Sequence, residues 1–121
     1  MKGYKSEQVK NIAVLGHQGS GKTALLESLL LSTGIISVKG QQANGSTVSD
    51  FLKEEKEHQM SISNSIIPVE YEGVKINFID TPGFLDLTAE VTAALRVASA
   101  AVLVVDAQSG IQVGTEKSYN F

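Results

Sequence analysis

The tightest constraint on this chain is the octapeptide Gly16-His17-Gln18-Gly19-Ser20-Gly21-Lys22-Thr23. Before it stands Asn11-Ile12-Ala13-Val14-Leu15, a short apolar run with β-branched members. A run of this kind, closed by glycine, predicts a strand buried on both faces, as in a parallel sheet. After it, residues 22–32 place leucines at 25, 26, 29 and 30, a helical stripe, and Thr33-Gly34 supplies the stop. Gly16, Gly19 and Gly21 open backbone torsions closed to other residues, so the chain can curl tightly between strand and helix. A buried strand feeding a helix through such a loop is the first half of a βαβ unit.

The remaining segments extend that unit. Residues 35–49 show no period and read as a long mobile loop, a length that in compact domains is usually functional. Residues 50–60 are charge-rich and predict a short surface helix. Residues 62–71 and 74–79 are β-rich runs separated by Glu72-Gly73, a hairpin signal; Pro68 assigns the first to a sheet edge or a bulge. Residues 86–98 carry apolar positions at 87, 91, 94, 95 and 98, and residues 100–105 form another buried run ending at Asp106. A further helix is expected from Gly110 to the last residue, Phe121. The expected fold is α/β with three layers: a mostly parallel sheet, one antiparallel hairpin edge strand, and helices on both faces.

Bulk properties narrow the function. The 121 residues, 42% hydrophobic and 19% charged, suffice for one core and not for two domains. A net charge of −3 argues against DNA as a partner of this piece. With no cysteine, disulfides and cysteine-bound zinc are out. The N-terminus lacks a signal-peptide apolar region, and the run at 100–105 is far too short to cross a bilayer, so the expected location is the cytoplasm, without a membrane partner.

The octapeptide fits G-x-x-x-x-G-K-[ST] without a gap, the spacing of a phosphate-binding loop. Its backbone N–H groups can line phosphate oxygens, and the helix beginning there, with Ala24 in its first turn, adds its positive dipole end. Lys22 can reach the β- and γ-phosphates, and the Thr23 hydroxyl is a magnesium ligand. His17 taken alone is an ordinary loop histidine. A second anchor follows at Asp80-Thr81-Pro82-Gly83, where an apolar strand ends. There Asp80 can hold magnesium, and Gly83 can offer its N–H to a γ-phosphate without side-chain obstruction.

These residues carry a resemblance. Asp80-Thr81-Pro82-Gly83 looks like the start of switch II in translation-factor GTPases. Asp50-Phe51-Leu52-Lys53-Glu54-Glu55-Lys56-Glu57-His58-Gln59-Met60-Ser61-Ile62 is similar to switch I of elongation factor G. Gln8-Val9-Lys10-Asn11-Ile12-Ala13 and Val104-Val105-Asp106-Ala107-Gln108-Ser109-Gly110-Ile111-Gln112 match the same family, from about Val9 to Lys117. The resemblance implies a ribosome-acting switch that binds GTP and magnesium and hydrolyses GTP to GDP. It makes Ser61 the switch I hydroxyl that closes on magnesium when a γ-phosphate is present, beside Thr23 and Asp80.

Four departures from the family follow. Phe84 stands where translation factors usually have a water-orienting histidine, and it cannot donate or accept a hydrogen bond. Gly19 stands where the family often has aspartate, and His58-Gln59-Met60 replaces Arg-Gly-Ile. The Asn-Lys-x-Asp element that selects guanine does not occur and is expected beyond Phe121, so the chain reads as a partial G domain ending after its fourth strand. The last strand is then an exposed sheet edge, and self-association of the piece is expected. Slow intrinsic hydrolysis is one expectation; a nucleotide-binding module without useful hydrolysis and an unrelated P-loop ATPase or kinase are the alternatives.

Overall fold

Four strands form one mixed sheet in the computed structural model, which describes residues 3–41, 45–49, 52–58, 61–83 and 88–121. The strands are β1 (Val9–Leu15), β2 (Ser65–Tyr71), β3 (Val74–Asp80) and β4 (Ala100–Leu103), and the helices are α1 (Lys22–Ser32), α2 (Lys53–His58), α3 (Thr88–Val97) and α4 (Val113–Tyr119). Spatial order is β2-β3-β1-β4. β1 pairs in parallel with both β3 and β4, and β2 joins β3 in antiparallel fashion.

The hairpin is as expected: Glu72 and Gly73 both take positive φ, 47° and 81°, the torsions that a two-residue connection between twisted strands demands. Pro68 lies on β2, which is an outer strand, where a missing N–H is tolerated.

Alternation along β1 separates two cores. Ala13 and Leu15 pack with Ile79 and with Val91 and Ala94 of α3. Val14, between them, packs on the opposite face with Leu26 and Leu30 of α1 and with Ile67 and Val69 of β2. Helices therefore cover both faces and the three layers are present. Each fully buried Val, Leu or Ile contributes about 1.5–3 kcal/mol to this arrangement.

Two strand ends and one helix face differ from expectation. The β-rich run at 62–71 yields a strand only from Ser65, because the N–H groups of Ile62, Ser63 and Asn64 bond to carboxylates instead of to a strand. β4 closes at Leu103, although Val104 still donates its N–H to Leu15 O at 2.8 Å. On α1 the inward face is Thr23, Leu26, Glu27 and Leu30, whereas Leu25 is exposed. Thr23 must face the end of β3, and the 100° step per residue then turns Leu25 outward.

Candidate phosphate and magnesium site

Parallel pairing of β1 with β3 puts the two sequence anchors side by side. Val14 lies opposite Asp80, so the loop leaving β1 and the segment leaving β3 begin at the same sheet end. In open α/β sheets this is where ligands bind. Thr81 is buried and donates its hydroxyl to Val14 O at 2.7 Å, which locks the two strand ends together.

The loop has the left-handed torsions its glycines permit, with φ of 76° at Gly19 and 95° at Gly21. Gly21 caps α1 in that conformation, so the helix starts at Lys22 with its first N–H groups facing the loop. Gln18 and Gly19 are exposed, and so is Ala24, on the outer side of the first helical turn. Gly16 is buried, and a Cβ there would collide with the Val104 carbonyl and with Ser20 Oγ.

Lys22 is buried and folds back across the loop, its Nζ donating to Gly16 O and His17 O, both at 3.0 Å. Burial lowers its pKa from the ordinary lysine value, and the charge of Asp80 pulls in the opposite direction. Thr23 Oγ1 donates to Asp80 Oδ2 at 2.9 Å, and both residues are buried. Gly83 closes the group. A Cβ on it would stand 2.5 Å from Lys22 Nζ and 2.6 Å from the Gln18 backbone nitrogen. Pro82, before it, is buried.

Lys22, Gln18, Gly83, Thr23 and Asp80 thus converge from residues far apart in the chain. A cation, a backbone N–H and a side-chain-free backbone suit phosphate oxygens, while a hydroxyl–carboxylate pair suits a hard divalent cation. Among the described residues no group of three His, Cys, Asp or Glu side chains could hold a metal alone. Magnesium characteristically takes one or two protein ligands and completes its shell with water and phosphate. Ser20 Oγ is buried with no hydrogen-bond partner among the described residues, a further polar atom suited to a phosphate ligand.

The family model for the elongation factor Tu GTP binding domain matches residues 7–121. This chain belongs to that family. Among solved structures, a protein from Thermus thermophilus is 36% identical over 93% of the chain, with a TM-score of 0.89. A bacterial selenocysteine-specific elongation factor, EF-Sec, is 26% identical over 91%, with a TM-score of 0.69. The elongation factor SelB of Methanococcus maripaludis, solved with the GTP analogue GPPNHP, shares the fold at 22% identity over 98%, with a TM-score of 0.64. The chain spans 17%, 17% and 20% of those three chains, respectively. The likeness to a translation elongation factor G domain is therefore borne out.

The remaining expected residues are Ser61, Phe84 and His17. Ser61 is half-buried just before Ile62, whose N–H is held by Glu55. Phe84 lies outside the described residues. His17 has a packing role that its sequence context did not signal: a Cβ on Gly114 of α4 would come within 2.5 Å of its Nδ1. Glu27, Glu55 and Glu90 were also missed. Each accepts backbone N–H groups from the connection between α1 and β2. A charged residue in a polar stretch looks like any solvated one until the fold buries it.

Proposed function

We propose that this chain is the phosphate- and magnesium-binding part of an elongation-factor-G-like GTPase that acts on the ribosome in the cytoplasm and hydrolyses GTP to GDP and phosphate. The observation that carries this reading is the 2.9 Å Thr23–Asp80 hydrogen bond beside Lys22 and Gly83. Residues 16–24 bind the phosphates: the loop backbone donates N–H groups, and Lys22 brings a positive charge to the β- and γ-phosphates. Thr23 and Asp80, joined by Ser61 of switch I, hold magnesium, which when bound offsets the charge on those phosphates. Residues 80–83 reach the γ-phosphate through the Gly83 backbone. No helix among the described residues is long and apolar enough to cross a membrane.

Hydrolysis needs a water aligned with the γ-phosphate, and Phe84 cannot hydrogen-bond one. Slow intrinsic turnover, accelerated by a partner group, follows. Phe84 also favours the second reading, a nucleotide-dependent binding module without useful hydrolysis. Titration calorimetry of GTP against ATP on the full-length protein tests the assignment; equal affinity for ATP would overturn it. Single-turnover hydrolysis with and without ribosomes separates the two readings: stimulation supports the switch enzyme, and none supports the module. Lys22→Ala is expected to cost about 2–5 kcal/mol of nucleotide affinity, the scale of losing one partner of a buried charged contact.

A further inference from the structure

Residues 62–64 are gripped from two helices at once. Glu55 of α2 is fully buried and accepts the N–H groups of Leu52 (3.0 Å), Ile62 (3.0 Å) and Ser63 (3.2 Å) together with the Ser63 hydroxyl (3.3 Å). Glu90, in the first turn of α3, accepts the Asn64 N–H at 3.1 Å through its carboxylate, and its backbone carbonyl accepts Asn64 Nδ2 at 2.7 Å. We infer that Glu55 and the Asn64–Glu90 pair are positioning residues: they fix the segment beside Ser61 between α2 and α3, so that engagement of Ser61 by a triphosphate-bound cation is transmitted to α3. This inference rests on the GTP reading above.

The physical case is one of satisfaction and stiffness. Glu55 ties the residue before α2, Leu52, to Ile62 and Ser63 on the approach to β2, so the residues that follow Ser61 cannot shift without breaking charge-assisted bonds. Asn64 is the next point of attachment, and its two bonds end on the helix that follows residues 80–83 in the chain. Segments on either side of the candidate site are therefore joined by a chain of hydrogen bonds. Coupling is demonstrated when both sites bias one element, here α3.

The test compares a fluorescent GDP with a non-hydrolysable GTP analogue on the full chain, together with hydrogen exchange over residues 88–97. Glu55→Gln places an amide N–H₂ where an acceptor oxygen stood. It is expected to lower analogue affinity by about fivefold or more, the lower end of ordinary coupling, with GDP affinity kept within about twofold. The parent protein is expected to show analogue-dependent protection of α3, and its absence overturns the inference; Asn64→Ala is expected to retain analogue binding and to abolish that protection. Equal loss for both nucleotides in Glu55→Gln, or unchanged α3 protection in Asn64→Ala, overturns the inference while leaving the GTP reading intact. A parent protein that binds neither nucleotide overturns both. If Glu55→Gln unfolds, Ser63→Ala, which removes one bond to Glu55, carries the same comparison.

Discussion

Thr23 and Asp80 are 57 residues apart in the chain, yet the Thr23 hydroxyl donates directly to the Asp80 carboxylate at 2.9 Å, and both are buried. The contact exists because β1 and β3 run parallel as neighbours and end together. Thr23→Val is expected to cost about 1–3 kcal/mol of stability, the penalty for removing one partner of a buried hydrogen bond. It should also abolish the strengthening of nucleotide binding by magnesium. Urea unfolding measures the first effect, and calorimetry with and without magnesium the second. Magnesium enhancement equal to that of the parent would remove Thr23 from the site.

Gly83→Ala probes the closest approach in the site. The added methyl would meet Lys22 Nζ at 2.5 Å and Gln18 N at 2.6 Å, so either the lysine or the loop must yield. Overpacking of this kind costs about 1–3 kcal/mol. Triphosphate affinity is expected to fall by more than about tenfold, since about 1.4 kcal/mol is a factor of ten. Unchanged GTP affinity would mean that Gly83 lies away from the γ-phosphate.

The Glu55 carboxyl carries a pH signature. Burial alone would raise its pKa, but hydrogen bonds from Ile62, Leu52 and Ser63 outweigh burial and leave it below the ordinary glutamate value. A depressed folded-state pKa stabilises the fold above the unfolded value, and that contribution is lost as pH falls through the folded pKa. Melting followed by circular dichroism should therefore show Tm declining below about pH 4.3, the ordinary glutamate value. Glu55→Gln should show a shallower decline. Parallel acid profiles for the two proteins would refute the assignment.

β4 is an outer strand of the sheet, and its Ala100, Ala101 and Val102 are exposed. An open apolar edge templates pairing with another chain, and a charged side chain is the usual deterrent. Sedimentation of this chain is expected to show concentration-dependent association, reduced in Val102→Lys. A monodisperse monomer at high concentration would argue against edge pairing.

Much of the site was legible because its chemistry is local. The octapeptide from Gly16 to Thr23 needs glycines at fixed offsets to turn the backbone, and no tertiary contact is required to recognise that. The turn at Glu72-Gly73 was legible for the same reason, and its two positive torsions match. Leu25 belongs to the leucine stripe yet is exposed, because a stripe of four leucines does not say which residues face the sheet. That choice was made by Thr23, which must reach Asp80.

The sequence by itself determined the glycine-rich loop at 16–23, the Asp80–Gly83 turn, the order of strands and helices, and membership of the elongation factor family. Each rests on neighbouring residues or on periodicity that the backbone imposes. Tertiary structure alone decided that Lys22 folds onto the Gly16 and His17 carbonyls and that His17 seats against Gly114. It also turned Glu27, Glu55 and Glu90 from apparent surface charges into acceptors for the α1–β2 connection. An unpaired N–H in a connection without strand neighbours must find an acceptor, and which carboxylate comes within reach depends on how the helices dock.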